Sequence, residues 1–90
     1  MRITVDPAKR ATTLSERGLD FADAIKVFSG LTAMVEDDRR PYPESRYVTA
    51  GFLADRLVVV VWTPDGAGRR VISMRHAHER EIKKWRDRMG

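Results

Sequence analysis

The stretch LVVVVWTPDGAGRRVISM, residues 57–74, decides the fold because it joins the most apolar run of the chain to a strong turn signal. The run LVVVVWT is rich in β-branched residues and is typical of a central strand that is covered on both sides. The Pro, Asp and Gly residues of PDGAG favour a tight turn, and RRVISM predicts the next strand. Short connections pair neighbouring strands antiparallel, so residues 57–63 are expected at the centre of an antiparallel sheet.

Earlier segments extend this sheet. RYVTAGF, residues 46–52, predicts a strand that the turn LADR connects to the central one, and LTAMVE, residues 31–36, predicts another. The polar loop DDRRPYPES between them contains two prolines, which do not suit a strand interior. The short β-branched run ITV, residues 3–5, can begin a sheet. The sequence therefore predicts three to four antiparallel strands.

Helix signals surround the strands. Asp6 is a helix N-cap and Pro7 suits the first helical position, while Gly18 favours helix termination. Asp20 begins a second helix, whose apolar residues have helical spacing: Phe21, Ala24, Ile25 and Phe28. HEREIKKWRDRM predicts a C-terminal helix with an apolar seam: Ile82, Trp85 and Met89. The predicted fold class is therefore α+β, in one RelE-like domain over residues 1–90 with two N-terminal helices, the antiparallel sheet and a C-terminal helix.

Packing expectations follow from the same periodicities. The helices are expected on one face of the sheet, which leaves part of the other face for a ligand or partner. A single core is expected to bury Phe21, Ile25, Phe28, Val59, Val61 and Ile72. Period-two alternation along the last strand predicts one face that carries Arg69, Val71, Ser73 and Arg75. The opposite face is then expected to carry Arg70, Ile72 and Met74.

Composition narrows the function classes. The chain has 90 residues and no cysteine, so disulfides, thiolate chemistry and cysteine zinc sites are excluded. Its two histidines lack HxxxH spacing, and no cofactor or metal is expected. The sequence has no apolar run of the ~20 residues needed to span a membrane, and its N-terminus lacks the apolar region of a signal peptide. We expect a soluble, cytoplasmic protein without a membrane partner.

Charge is distributed unevenly along the chain. Residues 1–45 carry seven Lys and Arg against eight Asp and Glu, whereas residues 46–90 carry ten against five. The net charge of +4 therefore comes from the C-terminal half. A basic half of this kind favours phosphate-rich or acidic partners, and a solvated charged helix is the alternative interpretation.

Four motifs resemble the BrnT family: DPAK at 6–9, RGLDFADAIKVF at 17–28, ESRYVTAG at 44–51 and RVISMRHAHERE at 70–81. The resemblance implies a RelE-like ribonuclease toxin of a type II toxin–antitoxin module, which cleaves RNA. It also implies a BrnA-type ribbon-helix-helix antitoxin that neutralises the toxin, with operator DNA contacted only through that antitoxin. The chain departs from the family pattern at Val5, Arg17, Ser45, Met74 and Trp85; Arg17 stands where the family has a histidine before the glycine.

RNA cleavage sets clear chemical requirements. The substrate supplies its own nucleophile, the 2′-OH, which must lose a proton while the phosphate charge is stabilised and the 5′-oxygen is protonated. Preorganised cations supply much of the stabilisation without a metal, and positioned acid–base groups contribute further. Arginine suits the phosphate role because its planar guanidinium donates two parallel hydrogen bonds.

The predicted catalytic residues lie mainly where the last strand meets the last helix. Arg75 and Arg46 are phosphate-binding candidates, and His76 and Glu81 are proton-transfer candidates. An ion pair with Glu79 or Glu81 is the alternative role for Arg75, and protection of an edge strand is the alternative for Arg46. The residues predicted to bind RNA are Lys9, Arg10, Arg70 and Ser73. Their alternatives are a solvated helix face for the first two and a cross-strand hydrogen bond for the serine.

Two other function classes remain open at this stage. A non-catalytic nucleic-acid-binding module would have the same basic C-terminal half, and turnover of RNA distinguishes it from an enzyme. A protein-interaction domain would use the basic surface for an acidic partner. Salt-sensitive RNA binding would count against that domain, because phosphate contacts release counterions.

Overall fold

A computed structural model describes residues 1–89. The strands are β1 Ile3–Val5, β2 Thr32–Glu36, β3 Tyr47–Leu53, β4 Arg56–Asp65 and β5 Gly68–His76. The helices are α1 Pro7–Arg17, α2 Ala24–Ser29 and α3 Glu79–Arg88, with a 3₁₀ helix at Phe21–Asp23. Among residues 1–89, none of the helices combines the length and apolar character needed to cross a membrane. The α+β class predicted from the sequence is confirmed.

The sheet has five strands in the order β1-β5-β4-β3-β2, with β4 at its centre as predicted. Strands β2 to β5 form the expected antiparallel meander. The prediction of three to four antiparallel strands is nevertheless wrong, because β1 pairs with β5 in parallel and makes the sheet mixed. This pairing joins residues 3–5 to residues 69–71, which are far apart in the sequence, so the short connections between neighbouring strands do not determine it.

The second N-terminal helix differs from the prediction of one continuous element. The Asp20 side chain accepts a hydrogen bond from the backbone N–H of Ala22 at 2.9 Å, and this cap begins a single 3₁₀ turn. The α-helical part, α2, starts only at Ala24 and has six residues. The segment is thus shorter and more tightly wound at its start than its apolar spacing suggested.

Helices cover both faces of the sheet, so the expectation of helices on one face is wrong. The 3₁₀ helix and α2 pack on one face, here called the N-terminal face, with a core of Leu19, Phe21, Ala24, Val27, Val58, Val60, Trp62, Val71 and Met74. Helix α3 packs on the opposite face, here called the α3 face, with a smaller core of Ala33, Ala50, Leu57, Val59 and Trp85. Strand β4 must be covered on both faces of the sheet, because its successive side chains point to opposite faces and almost all of them are apolar.

The predicted single core is therefore divided. Phe21 is fully buried on the N-terminal face, whereas Val59 is buried on the α3 face. The other four residues of the predicted core are only partly buried: Ile25, Phe28, Val61 and Ile72. The α3 seam is confirmed, since Trp85 is buried and Ile82 and Met89 pack against the same cluster.

A β-bulge corrects the predicted faces of the last strand. Val61 pairs with Ser73 and Trp62 pairs with Val71, so Ile72 has no partner on β4. One extra residue reverses the alternation of side chains. Val71 consequently belongs to the N-terminal core, while Ser73 and Arg75 line a cavity on the α3 face. The expected grouping of Val71 with Ser73 and Arg75 is wrong for this reason.

Two tight turns shape the meander. Ala54 and Asp55 have φ angles of 49° and 66°, which is the two-residue geometry that joins β3 to β4. Gly66, with φ 59°, turns the chain between β4 and β5. Gly68 follows, and a Cβ atom there would lie 2.2 Å from the carbonyl oxygen of Arg2. Only glycine therefore lets β1 approach the start of β5.

Candidate functional site

The end of β5 has a free edge. Strand β1 pairs with β5 only as far as the Val5 and Val71 pair, so the rest of that edge has no partner strand in the described part of the chain. Helix α1 ends beside it, where Gly18 adopts the left-handed conformation with φ 68°. Arg17, in the last turn, donates from Nη1 to the Met74 carbonyl oxygen at 3.0 Å. This bond fixes the Arg17 side chain at the end of β5.

A cavity of about 440 Å³ opens at this point and is called the β5-end cavity here. Its lining residues are Arg17, Arg75, His76, Ala77 and His78. Two arginines and two histidines thus share one site at the junction of a strand and a helix. Across residues 1–89, no group of three or more His, Cys, Asp or Glu side chains is arranged to hold a metal ion.

Arg75 makes the ion pair with Glu81 that was the alternative to its predicted phosphate-binding role. Its Nη1 and Nη2 atoms donate to the two carboxylate oxygens of Glu81, with Nη2 to Oε2 at 3.3 Å. Nη1 also donates to the His76 carbonyl oxygen at 3.3 Å. Within residues 1–89 the Nε–H and the second Nη2–H have no hydrogen-bond acceptor, and they form a parallel pair of donors. An ion pair therefore orients Arg75 and leaves one edge of the guanidinium for a phosphate.

The Glu81 carboxylate bonds to Arg75 of β5 and also to two residues at the start of α3 and within it. It accepts hydrogen bonds from the backbone N–H of His78 at 2.7 Å and from Trp85 Nε1 at 3.4 Å. The Arg75 guanidinium is the main cause that lowers the pKa of Glu81 to about 2. A carboxylate with so low a pKa is ionised at neutral pH and is a weak base. The bond to His78 also begins α3, where His78 is the N-cap residue.

His76 is the group in this cavity that suits proton abstraction. Its side chain is half-buried, and burial is the main cause that lowers its pKa below the ordinary 6.5, with the Arg56 charge as a second cause. The Nδ1 atom is buried and has no hydrogen-bond partner among residues 1–89. The ring is consequently neutral at pH 7, and a neutral imidazole keeps one nitrogen free to accept a proton.

Two further cavities adjoin this one through shared lining residues. Arg75 also lines a cavity of about 480 Å³ on the α3 face, together with Ser73, Lys84 and Arg39. Arg17 also lines a cavity of about 400 Å³ beside α1, together with Lys9 and Ser73. Two of the predicted RNA-binding residues thus line cavities that adjoin the β5-end cavity: Lys9 lines the cavity beside α1, and Ser73 lines both.

Three predicted residues lie elsewhere. Arg46 precedes β3, pairs with Glu44 at 3.2 Å and lies 4.1 Å over the Tyr42 ring. Arg10 makes two hydrogen bonds with Asp20, at 2.7 and 3.0 Å. Arg70 is exposed on β5 opposite β1. The structure brings together Arg75, His76 and Glu81, but none of these three arginines lines the β5-end cavity.

Arg17 is the site residue that sequence reasoning did not select. The sequence marked it only as a departure from the family pattern, at the position before the helix-ending Gly18. The sequence did contain one indication of this role. Arg17 is a basic residue in the last turn of a helix, where its side chain can reach beyond the helix end to a neighbouring segment. The neighbour is Met74 of β5, which lies far away in sequence.

The fold and the cavity define a small α+β domain in which two arginines and two histidines are grouped in one site. The family model described as ribonuclease toxin, BrnT, of type II toxin–antitoxin system matches residues 6–81. The chain belongs to this family. A search of curated protein sequences found no match. Membership makes the chain a type II toxin with ribonuclease activity, with RNA as substrate and an antitoxin as partner.

Proposed function

We propose that the chain is a metal-independent endoribonuclease that cleaves RNA in the β5-end cavity, with the 2′-OH of the substrate as nucleophile. The observation that carries the proposal is the grouping of Arg17, Arg75, His76 and His78 around one cavity. Each of the three chemical requirements of the reaction has a residue there.

The two arginines hold the scissile phosphate. Arg75 offers its Nε–H and Nη2–H edge, and the Glu81 ion pair fixes the direction of that edge. Arg17 is fixed by its bond to the Met74 carbonyl and adds a second positive charge. Because both groups are oriented before substrate binds, they stabilise the extra negative charge of the transition state without reorganisation.

The histidines transfer the protons. His76 accepts the proton of the 2′-OH because its lowered pKa keeps it neutral at pH 7. The 2′-oxygen then bonds to phosphorus, the bond to the 5′-oxygen breaks, and a 2′,3′-cyclic phosphate and a 5′-OH are released. His78 donates a proton to the departing 5′-oxygen. Glu81 was the other candidate base, but its pKa of about 2 suits it better to positioning Arg75.

The outer cations contribute less directly. Lys9 and Ser73 contact RNA beside the cleaved phosphate, since each lines a cavity that adjoins the β5-end cavity. Arg46 and Arg70 attract RNA through their charge. Arg10 contributes least, because Asp20 pairs with it through two hydrogen bonds, whereas Glu44 makes only one with Arg46.

The partner is a BrnA-type antitoxin with a ribbon-helix-helix domain, made from the same operon. It neutralises the toxin in the cytoplasm and carries the complex to operator DNA, and free toxin inhibits translation and growth. Family membership supports this part of the proposal. Co-purification of the chain with the product of a neighbouring gene, followed by loss of RNA cleavage in the complex, is the corresponding test.

The decisive experiment compares RNA with the same sequence carrying 2′-O-methyl groups. We expect cleavage of RNA in EDTA, a 2′,3′-cyclic phosphate product, and no cleavage of the methylated strand, which still binds in a salt-sensitive manner. Arg75→Ala should slow cleavage by about 10²–10³-fold, as for loss of a preorganised donor. Arg88→Ala removes an exposed arginine outside the cavities and serves as the control. Cleavage of methylated RNA at the normal rate contradicts the mechanism; binding without any turnover makes the chain a non-catalytic RNA-binding module.

A further inference from the structure

Helix α1 leaves a second cavity, of about 400 Å³, between itself and the bulged part of β5. It is called the α1 cavity here, and α1 itself buries none of its residues fully. Its helix side consists of residues at helical spacing: Ala8, Lys9, Thr12, Thr13, Glu16 and Arg17. Its sheet side includes Ile72, the extra residue of the bulge, and Ser73.

The α1 cavity adjoins the site of cleavage. Arg17 lines both cavities, so a nucleotide that places its phosphate against Arg17 brings its base or a neighbouring base to α1. The volume lies in the range of small-ligand sites, about 300–1,000 Å³. Ile72 and Phe21 supply apolar surface for a flat ring, and the helix side supplies hydroxyls and charges.

Glu16 is the acidic residue among those that line the α1 cavity. The six ion pairs found among residues 1–89 do not include it, although Lys9 and Arg17 line the same cavity. A free carboxylate repels the RNA backbone, so it does not suit a phosphate contact. It does suit the donor groups on the edge of a base, because an ionised carboxylate only accepts hydrogen bonds.

We propose that the α1 cavity binds the base next to the cleaved phosphate and that Glu16 makes this position selective for guanine; the inference rests on the proposed ribonuclease function. Guanine presents two adjacent donors, N1–H and the 2-amino group, which match the two oxygens of one carboxylate. Adenine and cytosine pair an amino group with a ring acceptor, and uracil places one N–H between two carbonyls. Contacts to base edges, rather than to phosphates, determine sequence preference.

A binding experiment tests the subsite without cleavage. The probes are short single-stranded 2′-O-methyl oligouridylates that contain one guanine, or one inosine at the same position. Inosine lacks the 2-amino group, so the wild-type chain should bind the guanine strand about tenfold more tightly. Glu16→Ala should bind both strands equally. Asp87→Ala removes the same charge from an exposed helix surface outside the cavities and should keep the difference. Equal binding of both strands by the wild type overturns the proposal.

A cleavage experiment separates this inference from the proposed function. Cut sites in a random-sequence RNA pool should show guanine enriched at one position beside the cut, and Glu16→Ala should remove the enrichment while cleavage continues. Cleavage with no enrichment, or with another base enriched, overturns the guanine subsite and leaves the ribonuclease intact. A chain that cuts no RNA but distinguishes guanine from inosine through Glu16 overturns the ribonuclease mechanism and supports the subsite.

Discussion

The two faces of the sheet differ in how completely they are covered. On the N-terminal face, Phe21 and Val27 pack against valines of β4, and these side chains are almost wholly buried. On the α3 face, Trp85 is the one residue of α3 that is buried, and a cavity of about 480 Å³ separates part of the helix from the strands. The same strand, β4, supports a closed core on one face and an open one on the other.

Because the two faces differ in burial, we expect one to contribute mainly to stability and the other mainly to function. Large apolar side chains removed from water supply most of the folding free energy, and they are concentrated on the N-terminal face. Arg75 lies where the α3 face meets the end of β5, and it lines an open cavity at each of these two places. Substitutions on the N-terminal face should therefore change stability, and substitutions at the β5 end should change chemistry.

The largest expected effect concerns the N-terminal face. Phe21→Ala should lower the free energy of unfolding by about 3–5 kcal/mol, because the ring is fully buried and the cavity it leaves cannot be filled. Phe52→Ala is the control, since Phe52 is 36% exposed on the α3 face and should cost less than about 1.5 kcal/mol. Denaturant unfolding measures both. Similar losses of unfolding free energy for the two variants would show that the two faces do not differ in their contribution to stability.

A smaller effect is expected on the rate of RNA cleavage. Arg75→Lys keeps the charge but removes the planar pair of donors, so kcat should fall about 10- to 100-fold. Stability should change by less than about 1 kcal/mol, because Arg75 is partly exposed. Single-turnover cleavage and denaturant unfolding on one preparation check this. A variant that loses stability but cleaves normally would make Arg75 structural.

The Glu81 ion pair predicts a pH-dependent contribution to stability. The pKa of Glu81 falls from an ordinary 4.5 to about 2 in the folded chain, so the unfolded chain binds the proton more readily. The contribution is present above pH 4.5 and is lost as the pH falls toward 2. After allowance for solvent screening, Glu81→Gln should cost about 1 kcal/mol at pH 7. Unfolding at pH 7 and at pH 2 measures it; an equal cost at both would show that charge is not the cause.

The smallest effect is a displacement of the pH–rate profile. His76 must be neutral to accept a proton, and its pKa lies below 6.5, so the acid limb of kcat/KM should lie below that pH. Burial is the main cause and remains in Arg56→Gln, which removes only the nearby charge. The limb should therefore shift upward by a fraction of a pH unit. An acid limb above pH 6.5 in the wild type would exclude His76 as the base.

Local features of the fold were predictable from the sequence. The capping residues Asp6 and Gly18 lie at the ends of α1 as expected, and the LADR turn occurs at Ala54 and Asp55. These signals act over a few residues, so the sequence contains them completely. The partner of β1 and the bulge at Ile72 depend on contacts between distant segments, and period-two alternation cannot reveal an inserted residue.

The candidate site also combines features that are local in the sequence with features that depend on distant segments. Arg75 and His76 lie together because they are adjacent at the end of a strand, and Glu81 reaches them from the first turn of α3. Arg17 joins them only because α1 ends beside β5. The distance of Arg46 from the cavity follows from the direction of β3, which begins opposite Trp62, well before the β5 end. The order and direction of the strands were needed to predict that Arg17 lines the β5-end cavity and that Arg46 does not.

The parallel pairing of β1 with β5 also has a consequence for the order of folding. Strands β3, β4 and β5 are joined by tight turns and can pair early, since hairpins form in about 1–10 μs. Strand β1 must wait for β5, the last of the described strands to be synthesised, because their contact joins residues 3–5 to residues 69–71. Arg17 is the last residue of α1, which follows β1 in the chain, so we expect the β5-end cavity to form in the final step. A nascent toxin would then have no complete site until β5 has been synthesised.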